Sequence, residues 1–219
     1  MFAITREAIL ADDLQAFSDT AMAMADAANA IVGDSVWNVF LNNQTLNQDA
    51  TPVFDALHNN IGTGGAPTVA SLSEGRKLMR VQKDPSDTRT LNLGPALLIL
   101  PPVWETEGLS LITAQNLDYE IASTGAGLAQ RNAANQFGTL TPVVENRLGG
   151  ADGNATAWFM QANPTGPVPF IEVAFVRGQE TPTVETREGW NVDGIEYKVR
   201  QEFGVAPLAY QPVVSNAGA

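Results

Sequence analysis

The one histidine of the chain is the first place to look for chemistry. His58 stands in Phe-Asp-Ala-Leu-His-Asn-Asn, residues 54–60, with Asp55 three positions before it. A histidine beside an aspartate can serve as an acid–base pair, the ring moving a proton while the carboxylate orients it. Such a pair needs a nucleophile, and the sequence has no cysteine, no second histidine and no Gly-x-Ser-x-Gly turn. A ring hydrogen-bonded within its own loop is therefore the stronger reading, and no catalytic residue is assigned. Metal chemistry meets the same obstacle. One histidine and no cysteine leave only carboxylates, and no Asp-x-Asp-x-Asp-Gly loop is present. Gly62-Thr63-Gly64-Gly65 lacks the Lys-Ser/Thr of a phosphate-cradling loop and reads as a flexible turn; Gly125-x-Gly127 is no stronger. A facing pair of carboxylates for glycoside-type hydrolysis remains open, because pairing across a fold leaves no mark on spacing. The sequence calls for no cofactor and no metal.

Composition narrows the partners. Twelve Lys and Arg face 24 Asp and Glu in 219 residues, a net charge of −12, and charged residues make up only 16%. A field of that sign repels phosphates, which excludes nucleic-acid binding through the general surface. Arg76, Lys77, Arg80 and Lys83 form one basic cluster, but at helical spacing, which reads as a solvated helix face. The absence of cysteine excludes disulfides. No apolar run approaches the ~20 residues that span a bilayer, and the start MFAITREAIL has neither the basic opening nor the apolar core of an export signal.

The elements follow from periodicity. Apolar residues from Leu10 to Val39 recur at steps of three and four, predicting a helix over 5–41 with Thr5 as its N-cap. From Leu10 to Leu41 it is ~48 Å long at ~1.5 Å per residue, so it must run along a surface or under a sheet. Residues 42–70 read as loop. Ser71-x-x-Glu74 carries a capping-box pattern ahead of a helix to about Lys83, and Asp84-Pro85 ends it. Ala96–Leu100 is a continuous apolar run, hence a buried strand, and a helix follows from Val103 to about Gln115. Residues 123–138 are polar and read as mobile. Six strands are predicted afterwards: Leu140–Val144, Thr156–Gln161, Pro169–Val176, Thr183–Glu188, Ile195–Phe203 and Pro207–Val214. Helices first and strands later make an α+β protein.

The most regular feature is the segment 183–203. Ile195, Tyr197, Val199 and Phe203 alternate with Glu196, Lys198, Arg200 and Glu202, so one face is apolar and the other a ladder of charges. Asp193-Gly194 is a turn signal before it, and Glu185 and Arg187 on the preceding strand can face the ladder. Two uses compete. The ladder either pairs within its own sheet or meets another subunit. Trp190 in the turn is either folded down or exposed for a partner.

Four stretches, taken in order, carry a resemblance: ITREAILADDLQAF at 4–17, FDALHNN at 54–60 with SLSEGRKLMRVQKD at 71–84, LLILPPVWE at 97–105, and VETREGWNVDGIEYKVRQEFG at 184–204. Together they look like the major capsid proteins of tailed phages, in particular the Mu-like prophage group. The resemblance implies a Hong Kong 97-type capsid fold, α+β, with a long spine helix. Its peripheral domain would comprise 1–45 and 166–203, and its axial domain 46–165 with a return at 204–219. It implies a structural, non-enzymatic head protein that self-assembles through pentamers and hexamers into an icosahedral shell around phage DNA. It further implies assembly in the bacterial host cytoplasm, residence in the virion, and contact with portal, scaffold or decoration proteins, with no specific nucleic-acid sequence and no membrane. Against the family pattern, the N-terminal arm, the extended loop and the cross-linking lysine of that loop have no counterpart here. Glu185, Arg187, Trp190, Lys198 and Arg200 are then the candidate intersubunit contacts. The alternatives are an encapsulin-like compartment shell and a carboxylate-dependent hydrolase.

Overall fold

The computed structural model describes residues 2–5, 16–123, 127–188 and 194–218. Three α-helices are described: α1 (Ala16–Leu41), α2 (Val69–Arg80) and α3 (Glu105–Thr113). Strands in chain order are β1 (Phe2–Thr5), β2 (Pro95–Leu100), β3 (Asn116–Ser123), β4 (Gly127–Ala134), β5 (Thr141–Val144) and β6 (Trp158–Ala162). They continue with β7 (Ile171–Phe175), β8 (Thr183–Glu188), β9 (Gly194–Arg200), β10 (Phe203–Pro207) and β11 (Val213–Asn216). The protein is mixed α+β, and it divides into two compact units: Met1–Val39 with Glu172–Ala206, and Phe40–Ile171 with Pro207–Ala219.

The larger unit is built on a four-stranded sheet in the order β11-β6-β2-β5. β6 runs antiparallel to both β11 and β2, while β5 joins β2 in parallel. Both faces of the sheet are covered, which is why β2 is an unbroken apolar run rather than an alternating one. On one face Leu98, Leu100, Trp158 and Met160 meet Leu72 and Met79 of α2 in a single apolar cluster. On the other, Phe159 packs edge-on against Phe40 at 5.0 Å and tilted against Phe54 at 5.2 Å. Burying each of these large side chains stabilises the fold by roughly 1.5–3 kcal/mol. Gly108 lets α3 lie close on β2, because a Cβ there would meet the Leu100 side chain. The indole N–H groups of Trp104 and Trp158 donate to the carbonyls of Thr156 and Gly65, both at 2.9 Å.

Several sequence expectations are corrected. α2 starts earlier than the Ser71-x-x-Glu74 pattern implies: Thr68 is its N-cap, and the capping box closes between Thr68 and Ser71. Glu74 instead accepts from the backbone N–H and hydroxyl of Thr63. The glycine-rich 62–65 segment is thus pinned, not flexible, with Gly65 N–H donating to Asn216 Oδ1 at 3.1 Å. The polar 123–138 stretch is largely a hairpin arm: β3 and β4 pair in register from Asn116↔Ala134 to Ser123↔Gly127. A hairpin satisfies its own backbone donors and acceptors whatever its side chains are, so small polar residues can occupy it. The predicted strand 207–214 is mostly turn, since Pro207 and Pro212 each remove a ladder donor.

In the smaller unit, Phe2–Thr5 is strand rather than the start of the long helix. It pairs antiparallel with β9, from Phe2↔Tyr197 to Thr5↔Gly194. The free edge of β9 offers a row of backbone partners, and that outweighs a weak helical propensity. Residues 6–15 of the expected helix lie outside the described residues. The sheet order is β1-β9-β8, and β7 pairs with β10 in a separate two-stranded ribbon. The expected single strand Ile195–Phe203 is therefore two strands in two sheets, parted at Gln201-Glu202. Phe203 leaves the face of Ile195, Tyr197 and Val199, and its ring lies 6.4 Å from Phe175 of β7.

Candidate assembly surface

The β8–β9 register decides which charges meet. Glu185 lies opposite Lys198, Arg187 opposite Glu196, and Thr183 opposite Arg200. Directly opposed residues of an antiparallel pair share a face, so four of the five expected residues, Glu185, Arg187, Lys198 and Arg200, stand together. Arg187 Nη2 donates to Glu196 Oε2 at 2.7 Å, and Lys198 Nζ to Glu185 Oε2 at 3.1 Å. Arg200 sits between Glu185, at 3.8 Å, and Glu202, at 3.9 Å. The hydrogen bond from Lys198, reinforced by the charges of Lys198 and Arg200, holds the Glu185 carboxyl below its ordinary pKa. Trp190, the fifth, lies outside the described residues.

These pairs do not hide the cations. The side chain of Arg187 stays 76% exposed and that of Lys198 54%. Each uses one donor within the sheet and turns the rest to solvent, which is the condition for meeting acceptors on another surface. The apolar face behind them, Ile195, Tyr197 and Val199, is half-buried.

His58 is the second polar centre, and its partner is not Asp55. Asp55 caps the short 3-10 turn Ala56–His58, accepting from Leu57 N–H at 2.8 Å. His58 itself is buried, with Nδ1 3.0 Å from the carbonyl of Val53 and Nε2 2.8 Å from Asp49 Oδ2. Its ring stacks on Tyr210 at 3.8 Å, the planes 2° apart. Asp49 is held below its ordinary pKa by the Thr51 backbone N–H first and by His58 second. The Tyr210 hydroxyl is pushed up by burial and by the nearby charges of Asp49 and Asp87. Among the described residues the carboxylates with shifted pKa values, Asp49, Asp84, Asp152 and Glu185, all shift downward. A hydrolase acid needs the opposite, a carboxyl kept protonated near neutrality. The centre joins three chain segments and works as a clasp. Nothing in the spacing announces Asp49, nine residues upstream, or Tyr210, which arrives from the far end of the chain.

Of the basic cluster, Arg76 donates to the Gln136 carbonyl at 2.7 Å and lies 4.7 Å above the Phe137 ring. Arg80 donates to Asn92 and Lys83 pairs with Asp87. These three cations are held by local ties on and just past α2. Among the described residues no group of acids and histidine is arranged to hold a metal ion, and no helix is long and apolar enough to cross a membrane.

Comparison with known proteins gives one family: a model described as phage capsid protein matches residues 1–216. No curated protein and no solved structure matches significantly.

Proposed function

From this chain's membership of the phage capsid protein family, which the match over residues 1–216 establishes, we propose that it is the major head subunit, assembling with copies of itself into an icosahedral shell around phage DNA. Family membership makes it a structural capsid protein located in the virion. The finer reading, a Hong Kong 97-type fold of the Mu-like group, has its support in the architecture. Each unit draws on two separate stretches of the chain; one combines the long helix with the later strands, and the other carries the buried sheet. On that reading Met1–Val39 and Glu172–Ala206 are the peripheral domain, α1 belongs to the spine, and Phe40–Ile171 with Pro207–Ala219 is the axial domain. The whole-chain family match is the observation that carries the proposal. Pentamers and hexamers are its expected intermediates, with portal, scaffold and decoration proteins as further contacts.

Glu185, Arg187, Lys198 and Arg200 are proposed as a contact between neighbouring copies, supported by cations that remain exposed while ion-paired. Charges at such a contact give register and specificity more than affinity. Purified protein concentrated across a range of salt, followed by light scattering and negative-stain microscopy, tests the shell reading. Closed particles or capsomer rings are expected. A protein that stays monomeric throughout removes it.

A further inference from the structure

His58 is buried, and both nitrogens of its ring meet acceptors. Nδ1 lies 3.0 Å from the carbonyl oxygen of Val53, and Nε2 lies 2.8 Å from Oδ2 of Asp49. A carbonyl oxygen has no proton to give, so the first contact needs an N–H on Nδ1. The second contact needs a proton as well; without one, a ring lone pair faces a carboxylate oxygen across 2.8 Å. Of the two groups that could carry it, an ordinary imidazole is the stronger base by about two and a half pH units. Asp49 is moreover held in its charged form. Its Oδ1 accepts from the Thr51 backbone N–H at 3.0 Å, and its carboxyl lies below the ordinary pKa. The second proton therefore belongs to the ring. A neutral histidine has one N–H and one lone pair, and it satisfies only one of these two acceptors.

The surroundings suit a cation. The ring lies flat on Tyr210, the centroids 3.8 Å apart, so a positive charge would rest on an aromatic face away from water. Asp49 and Tyr210 face the ring directly. Asp55, on its own turn, is committed to the Leu57 N–H. Asp87, on the turn beyond α2, acts on the Tyr210 hydroxyl and is paired with Lys83 at 2.8 Å. Gln82 holds the turn from the α2 side, donating to the carbonyls of His58 and Asn59.

The position of the ring gives its protons a consequence. The chain passes between its two units at 39/40, 171/172 and 206/207. Inside the larger unit, the segments next to those crossings are tied to one another near the ring. Leu208 N–H donates to the Phe170 carbonyl at 2.7 Å, and Gln48 Nε2 to the Leu208 carbonyl at 2.9 Å. Asn60 Nδ2 donates to the Val53 carbonyl at 2.8 Å and reaches that of Tyr210 at 3.5 Å. Asp49, Val53 and His58 lie on the segment that follows α1, and Tyr210 on the one after 206/207. Loss of one ring proton removes a hydrogen bond to one of these segments and the charge stacked on the other in a single event.

We propose that His58 carries both ring protons in the folded chain, and that the Asp49–His58–Tyr210 clasp is thereby a proton-dependent latch on the segments leading into and out of the larger unit. The latch is a property of the single chain and stands apart from the shell reading. Because the sequence has one histidine, protein labelled with 15N-histidine reports on this ring alone. Its long-range 1H–15N correlations are followed from about pH 5 to about pH 9, either side of the ordinary histidine value. Amide hydrogen exchange at His58, Asn59 and Leu208, whose N–H groups donate to Asp55, Ala56 and Phe170, is followed in parallel and corrected for its intrinsic pH dependence. Both ring nitrogens are expected to be protonated at the acidic end. Loss of one proton is expected to quicken exchange at those amides about tenfold or more, the scale of one charged hydrogen bond. A nitrogen without a proton at the acidic end overturns the proposal. So does a ring that keeps both protons to the alkaline end, or one that loses a proton with exchange unchanged. Asp49→Asn places opposite Nε2 an amide that can donate or accept, and it is expected to flatten the pH dependence of exchange. A dependence as steep as that of the wild type overturns the latch.

Discussion

At the scale of single residues, His58 shows how far a motif can mislead and how chemistry corrects it. An Asp three positions away suggests a pair, but that carboxylate is committed to the Leu57 N–H, and the ring finds Asp49 instead. Asp49 has a depressed carboxyl. Its charged form is favoured in the folded chain, so its contribution is full above the ordinary carboxylate value, about 3.9, and is lost as pH falls through the lower folded value. Asp49→Asn keeps an acceptor but removes the charge. With Asp49 39% exposed, the expected cost at pH 7 is about 1 kcal/mol, a melting point lower by roughly 2–4 °C. The gap from wild type should narrow below about pH 4, where the wild-type carboxylate is itself protonated. Thermal melts at pH 7 and pH 3 check this; an unchanged gap would show that the Asp49 charge is not what holds the clasp.

At the scale of elements, the β8–β9 pair was the most legible part of the sequence. Strict alternation placed Glu196, Lys198 and Arg200 on one face, and the observed register puts Glu185 and Arg187 opposite Lys198 and Glu196. What alternation could not reveal is that β9 ends at Arg200 and that Phe203 belongs to another sheet. Phe203 keeps the parity of Ile195, Tyr197 and Val199, so the period of two reads across the break, and the one mark of it is Gln201, a polar residue at an apolar-face position. Exposed cross-strand ion pairs contribute little to stability. Lys198→Glu with Arg200→Glu is therefore expected to lower the melting point by no more than about 4 °C, leave the circular dichroism spectrum intact, and weaken association between copies at low salt. Assembly indistinguishable from wild type, judged by light scattering, would confine the ladder to a role within its own sheet.

At the scale of the whole molecule, the charge of −12 sets the conditions for any association of copies. Like-charged subunits repel over about one Debye length, near 30 Å at 0.01 M salt and near 8 Å at 0.15 M. Association should therefore strengthen as sodium chloride rises from ~0.01 to ~0.15 M, before the attractive ladder pairs are themselves screened at higher salt. Light-scattering titrations read the direction directly; association that weakens from the first addition would mean attraction, not net repulsion, governs the encounter. The same acidity disfavours contact with a phosphate backbone.

The sequence by itself determined what depends on neighbours along the chain. The helical run over Ala16–Leu41, the buried β2 strand, the second and third helices, the alternating faces of β8 and β9, and the α+β class all rest on periods of 3.6 or 2 within one segment. The tertiary structure alone decided what depends on residues far apart in number. The pairing of Phe2–Thr5 with β9, the parallel seat of β5 beside β2, the hairpin arm at 116–134, and the Asp49–His58–Tyr210 clasp belong to it. Backbone hydrogen bonds and close packing are satisfied by whatever the fold brings near, and they leave no periodic mark in the segments that supply them.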